Sequence, residues 1–184
     1  IQVLSPGIPM LFMGEEFGTT APFHYFCDFQ GDLARAVCDG RRKEHAQQAD
    51  AEGARPVPDP NDATVFSASK LDWDELRAAP HRDWLAFYTQ ALAVRGHMVA
   101  PRLALIQPDS VSSHFFGPHT FEVRWPTEGA GTLVLRAHLH DEPSAPVPRV
   151  DGALLFGVGE DHGLPPGAMG AWSVRVHLVE EALP

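Results

Sequence analysis

The chain has 184 residues, 44% of them hydrophobic, which is apolar content enough for one domain or two small ones, so disorder is not the default expectation. Its formal net charge of -10 argues against a nucleic-acid or anionic-membrane partner, because both require a positive face. No window approaches the run of about 20 apolar residues that spans a bilayer and no basic, apolar leader is present, so a cytoplasmic location is expected.

The chain opens at Ile1, without Met, inside the apolar run "IQVLSPGIPMLF", and the expectation is a piece of a longer protein. Pro6, Gly7 and Pro9 block a helix, so Ile8 to Met13 reads as a buried parallel strand, apolar on both faces. It closes at Gly14 and is followed by two adjacent acids, Glu15 and Glu16. The C-terminal ends of parallel strands face the site in α/β architectures, which makes these acids candidates for binding hydroxyls. Neighbours on an extended chain point in opposite directions, so at most one of them faces a ligand. A solvated turn holding a salt bridge is the competing reading.

The aromatic stretch "PFHYFCDF" follows, Pro22 to Phe29. Phe23, His24 and Tyr25 are residue types that stack on sugar rings and hydrogen-bond their hydroxyls. Alternation puts Phe23 and Tyr25 on one side and His24 and Phe26 on the other, so one pair packs and the other is available. Cys27 and Cys38 stand in no Cys-x-x-Cys or Cys/His ligand spacing and read as reduced thiols.

Leu33, Ala34, Val37 and Cys38 recur at helical spacing behind Asp32 as N-cap, and the helix ends in Arg41, Arg42 and Lys43, where cations suit the dipole. From Gln47 to Asn61 no period survives and a surface loop is expected. "SKLDWDEL" leads into a second helix, on which Trp84, Leu85, Tyr88, Ala91, Leu92 and Arg95 share a stripe and Gly96 is the stop.

Beyond Pro101 the runs become short and alternating: "FEVRW" (Phe121 to Trp125), "TLVLRAHLH" (Thr132 to His140), "ALLFGVG" (Ala153 to Gly159) and "WSVRVHLVE" (Trp172 to Glu180). They predict an antiparallel β-sandwich or small barrel. An α/β part over residues 1–100 followed by an all-β part over 101–184 is therefore expected, with the boundary near Val99 to Pro108.

Three patterns imitate chemical sites. His138 and His140 share a strand face as two metal ligands would, yet no third ligand stands at a fitting distance, so both read as surface histidines, with no metal or cofactor. "GVGEDHG" (Gly157 to Gly163) mimics a phosphate loop without the helix that such a loop needs. "RVDGA" (Arg149 to Ala153) reads as a hairpin turn at Asp151-Gly152.

"GIPMLFMGEEFG", "PFHYFCDFQGDLARAVCDGRRKEHA" and "DPNDATVFSASKLDW", in this order and spacing, resemble the C-terminal part of the maltooligosyltrehalose trehalohydrolases of the α-amylase superfamily. "PMLFMGEE" alone is shared by other members such as glycogen branching enzymes; "GRRKEHA" with "SKLDW" behind it points to the trehalohydrolase branch. The resemblance implies the end of a (β/α)8 barrel followed by a C-terminal antiparallel β domain. It implies an enzyme that hydrolyses the α-1,4 bond next to a terminal trehalose unit, with maltooligosyltrehalose or a related α-glucan as partner.

The family's catalytic Asp, Glu and Asp follow the fourth, fifth and seventh barrel strands, upstream of the eighth-strand position that Ile8 to Met13 matches. No residue of this chain is thus implied to be catalytic, and Leu139 stands where the family has Asn before His-Asp. What carries over is position: Glu15 and Glu16 match acids at the rim of the substrate face, and Phe23, His24 and Tyr25 match a loop that looks toward the pocket. The upstream remainder of the barrel is the implied partner. The rival readings are another α-amylase superfamily enzyme, such as a branching enzyme, and a stand-alone carbohydrate-binding β module in which Trp125 and Trp172 stack on sugar.

Overall fold

A computed structural model describes residues 1–48 and 57–180. They form two compact units, one of Ile1–Leu11 with Ala86–Pro184 and one of Phe12–Leu85.

The first unit is built on one antiparallel sheet of five strands: β1 (Ser112–Phe115), β2 (Thr120–Thr127), β3 (Gly131–His138), β4 (Ala153–Val158) and β5 (Ser173–Val179), in the order β1-β2-β3-β5-β4. All four expected runs are strands; β1, "SSHF", escaped notice because it is exposed along its length and shows no alternation. Register sets the two faces. Val123, Leu135 and Val176 lie side by side, as do Glu122, Arg136 and Arg175 one residue along. The apolar face packs Leu135, Ala137, Phe156, Val174 and Val176 against Leu4 and Ala91.

The opposite face carries no second sheet among the described residues, so the expected sandwich is corrected to a single sheet. Irregular segments cover it instead. Ser144 donates its N–H to Met169 and Val147 to Gly167, and Val147, Val150, Ala168 and Met169 are buried. Pro143, Pro146, Pro148, Pro165 and Pro166 lie in these segments, and proline cannot donate to a ladder.

Helix α3 (Ala79–Val94) buries Tyr88 and Ala91 of the expected stripe, whereas Trp84 and Leu92 are exposed. Gly96 does not end it: the chain continues as a π turn, Arg95–Val99, and a 3-10 turn, Ala100–Leu105. Arg95 holds this continuation by donating to the carbonyls of Val3, Ser5 and Gly7 at 2.9, 2.8 and 2.6 Å.

The expected strand at Ile8 to Met13 is not formed. Ile8 is 99% and Met10 78% exposed, and Phe12 and Met13 are about half exposed. A strand exists by its neighbour's hydrogen bonds, and among the described residues none lies beside this run. Its apolar character was legible, but a strand state depends on a partner.

The second unit carries α1 (Gly31–Gln48) and α2 (Ala63–Ala68), and Phe17, Cys38, Val65 and Ser69 are buried. Asp32 sits inside the first turn of α1, paired with Arg35, and not at its N-cap. Leu33 is exposed, so the buried side of α1 is narrower than its spacing suggested. Asn61 ties the unit together, accepting from Phe29 N at 3.0 Å and Cys27 Sγ at 3.3 Å and donating to Ala34 O at 3.4 Å. Residues 49–56, most of the loop expected over Gln47 to Asn61, lie outside the described residues. Cys27 and Cys38 are free thiols.

Candidate functional site

Glu15 and Glu16 open a 3-10 turn, Glu15–Phe17, bracketed by Gly14 and Gly18, both at positive φ. Gly14 is required twice over: φ is +88°, and a Cβ there would stand 2.5 Å from Thr19 Cγ2 and 2.7 Å from Leu71 Cδ2. The tight turn brings both carboxylates back onto the backbone. Glu15 Oε2 accepts from Phe12 N at 3.1 Å and Glu16 Oε2 from Gly14 N at 2.9 Å.

Glu15 lines a cleft of about 270 Å³ with Phe12, Thr19, Phe23, Ser69 and Trp84 among its walls. This is close to the lower end of small-molecule sites, roughly 300–1,000 Å³. Phe23 meets Phe12 edge-on at 4.8 Å. The Trp84 indole N–H donates to the Glu15 carbonyl at 2.8 Å, fixing the ring against the turn. Glu75 clamps the adjoining loop: its carboxylate accepts from Thr19 Oγ1 at 2.7 Å, from Thr20 N at 3.0 Å and from Thr20 Oγ1. The hydroxyls of Thr20 and Thr19 hold the Glu75 carboxyl below its ordinary range, so it serves as a charged anchor.

Of the five residues expected to face substrate, the cleft brings together Glu15 and Phe23. Glu16 is not among its walls. Tyr25 lies under the Arg41 guanidinium, 5.0 Å from its ring centre, and His24 donates its backbone N–H to the buried Ser69 hydroxyl at 3.0 Å. The expected alternation is present, with Phe23 and Tyr25 about half exposed and His24 and Phe26 more covered. Phe26 packs between Phe23 and Phe66 at 6.1 and 5.1 Å.

Sequence reasoning missed Thr19, Ser69 and Trp84 as cleft residues. Trp84 was legible only as part of a core stripe, yet it is 45% exposed. Chemically, the cleft offers aromatic edges to the C–H face of a ring, with hydroxyls and one carboxylate at its margin. That suits binding a polyhydroxyl ligand. It holds one carboxylate where glycoside hydrolysis needs two facing each other across the scissile bond.

The imitation sites resolve as structure. His138 is buried, a correction to its surface reading, because its ring bridges Thr120 Oγ1 at 2.8 Å and the Glu142 carbonyl at 2.6 Å. His140 falls beyond the end of β3, so the two do not share a strand face. "GVGEDHG" runs from the end of β4 into a loop, where Asp161 accepts from Gly170 N at 3.0 Å and pairs with Arg175.

Residues 108–176 match the family described as Domain of unknown function (DUF3459). The chain is 36% identical over 153 residues to the malto-oligosyltrehalose trehalohydrolase of Mycobacterium tuberculosis, an alignment covering 83% of this chain and 25% of that protein. It is 43% identical over 96 residues to the enzyme of that name from Arthrobacter ramosus, covering 50% of this chain and 16% of that protein. A Salmonella typhimurium crystal structure described as an alpha amylase superposes with a TM-score of 0.84 at 36% identity, over 97% of this chain and 29% of that one. The alignments thus cover about a sixth to a quarter of the length of the curated relatives. No helix among the described residues is long and apolar enough to cross a membrane.

Proposed function

We infer that this chain, a relative of the malto-oligosyltrehalose trehalohydrolases of the α-amylase family, is part of a glycosidase that releases trehalose from maltooligosyltrehalose by hydrolysing the α-1,4 bond next to the trehalose end. The observation that carries the reading is 36% identity over 153 residues, 83% of this chain. The cleft supports it chemically: Phe12, Phe23 and Trp84 offer apolar edges, and Glu15 and Thr19 offer polar groups, for one sugar unit of an uncharged substrate. Glu15 and Phe23 act as substrate contacts at the rim of the active face. Glu16, His24 and Tyr25 shape that rim from behind, through the Gly14 backbone, Ser69 and Arg41.

The catalytic carboxylates belong, on this reading, to the barrel portion that the longer relatives have in addition. The exposure of Ile8, Met10, Phe12 and Met13 supports that view, since a run so apolar is suited to lie against neighbouring strands. The test is product analysis of the intact enzyme on maltotriosyltrehalose. Trehalose is the expected product, and Glu15→Gln and Phe23→Ala raise KM. Formation of branched glucan without free trehalose overturns the reading in favour of a branching enzyme, and trehalose release by residues 1–184 alone overturns the placement of the catalytic groups.

A further inference from the structure

Among the described residues, Trp172 is the one non-glycine residue with positive φ, at 49°. A bulky side chain is disfavoured in that region, where glycine carries no penalty. The turn is nonetheless fixed from both sides. Trp172 N donates to the His140 carbonyl at 3.2 Å, and the next residue, Ser173, is fully buried at the start of β5, where a Cβ on Gly159 would stand 2.3 Å from its own. Packing does not repay the strain, because Trp172 is 58% exposed. A large aromatic residue held in a glycine conformation and turned to solvent is a conflict between sequence and fold, and such conflicts gather at binding sites.

The surroundings of the ring fit that explanation. The indole N–H donates to Asp141 Oδ1 at 2.7 Å, which fixes the ring by its edge and leaves its face open. Among the described residues the other Asp141 oxygen has no hydrogen bond and is free to accept one. His140 stacks on His119 with ring centres 4.4 Å apart and planes 21° from parallel. Glu142 N donates to His140 Nδ1 at 3.1 Å, so the neutral ring keeps its proton on Nε2 and is a donor.

We propose that Trp172, edged by Asp141 and held through its backbone N–H on the His140 carbonyl, is a platform that binds one pyranose unit of an α-glucan chain; the choice of glucan rests on the glycosidase reading above. The C–H face of the sugar lies on the indole, and its hydroxyls meet the Asp141 carboxylate at the margin. Asp141 stands at the ring edge, where hydroxyls of a stacked sugar come, and not over the face where a cation would sit. Trp125, the other tryptophan of this unit's sheet region, is half-buried against Leu133 and Val99 and is not part of the platform.

The experiment is a titration of the full chain with maltoheptaose, followed through the indole N–H resonances of Trp172 and Trp84 by NMR, with cellohexaose in parallel. The two resonances separate the platform from the Glu15 cleft. Maltoheptaose is expected to shift the Trp172 signal, and Trp172→Ala and Trp172→Gly are each expected to weaken that binding about tenfold or more. Trp172→Gly removes the φ strain, so its melting temperature holds or rises while binding falls, a combination that misfolding does not produce. Asp141→Ala weakens binding by freeing the ring. Cellohexaose binding in place of maltoheptaose, lost in Trp172→Gly, upholds the platform and overturns the α-glucan assignment. An unmoved Trp172 signal at millimolar concentrations of either sugar, or binding that survives both tryptophan substitutions, overturns the platform.

Discussion

The polar face of the sheet depends on one buried ion pair, and breaking it by halves is the sharpest test of how this unit is held. Glu122 on β2 and Arg136 on β3 are opposed in register, and both side chains are 6% exposed. Arg136 Nε donates to Glu122 Oε2 at 2.9 Å, its Nη2 donates to the same oxygen, and its Nη1 donates to the Pro148 carbonyl at 2.5 Å. Arg124 Nε donates to the other carboxylate oxygen, Oε1, at 2.6 Å. Glu122→Ala therefore leaves a buried guanidinium facing Arg124 and the cross-strand Arg175 with no anion between them. Leaving one partner of such a pair costs about 3–5 kcal/mol. For a chain of this size, that lowers Tm by about 10 °C.

Replacing both partners, Glu122→Leu with Arg136→Met, removes the charge and its desolvation together, and the double variant is expected within about 1–2 kcal/mol of the parent. Arg124→Ala, on the 40% exposed partner, costs no more than about 1 kcal/mol. Urea unfolding followed by circular dichroism measures all four proteins. A Glu122→Ala protein that loses less than the double variant refutes the claim that the charges are buried and mutually dependent.

What the sequence disclosed about this unit follows from the kind of signal involved. Leu133, Leu135 and Ala137 alternate with Val134, Arg136 and His138, and period two alone places β3. The same alternation cannot reveal what covers the polar face, because Pro146 to Val150 and Pro165 to Met169 have no period. They are fixed by long-range hydrogen bonds such as Val147 N to Gly167 O, at 3.1 Å. Hence a second sheet was expected where loops stand. β1 stayed hidden for a related reason: it is an exposed edge held by backbone pairing with β2.

The candidate site was half legible. Glu15 and Phe23 carried a local signal, a turn after an apolar run and an aromatic cluster. Trp84, Thr19 and Ser69 come to the cleft from positions up to 69 residues away from Glu15 in sequence, through the Trp84 bond to the Glu15 carbonyl, and no local pattern encodes such an approach. Trp172 is a similar case, since its φ is imposed by the turn into β5 and is invisible in "GAWSV".

Three further outcomes are expected. Gly14→Ala forces a side chain into positive φ and against Thr19 and Leu71, and is expected to cost about 1–3 kcal/mol in the same urea assay; an unchanged midpoint shows that the turn is not held as described. Burial, with Arg136 and Arg175 nearby, holds His177 below its ordinary 6.5, opposed in part by the Gly152 carbonyl and Glu122. The unfolded chain thus binds the proton more readily, and stability falls as pH drops below about 6.5. His177→Asn flattens that slope, and an equal slope in both proteins refutes the burial argument. The last outcome concerns Ile8, which is 99% exposed. In residues 1–184 alone, Ile8→Asp changes an exposed surface position and is expected to shift stability by no more than about 0.5 kcal/mol. In the intact enzyme, if Ile8 to Met13 is a barrel strand, the same change trades the roughly 1.5–3 kcal/mol of burying an isoleucine for an unpaired charge in an apolar layer. The loss there should exceed about 3 kcal/mol. Differential scanning calorimetry of both proteins reads the contrast, and an equally small effect in the two removes Ile8 to Met13 from any buried strand.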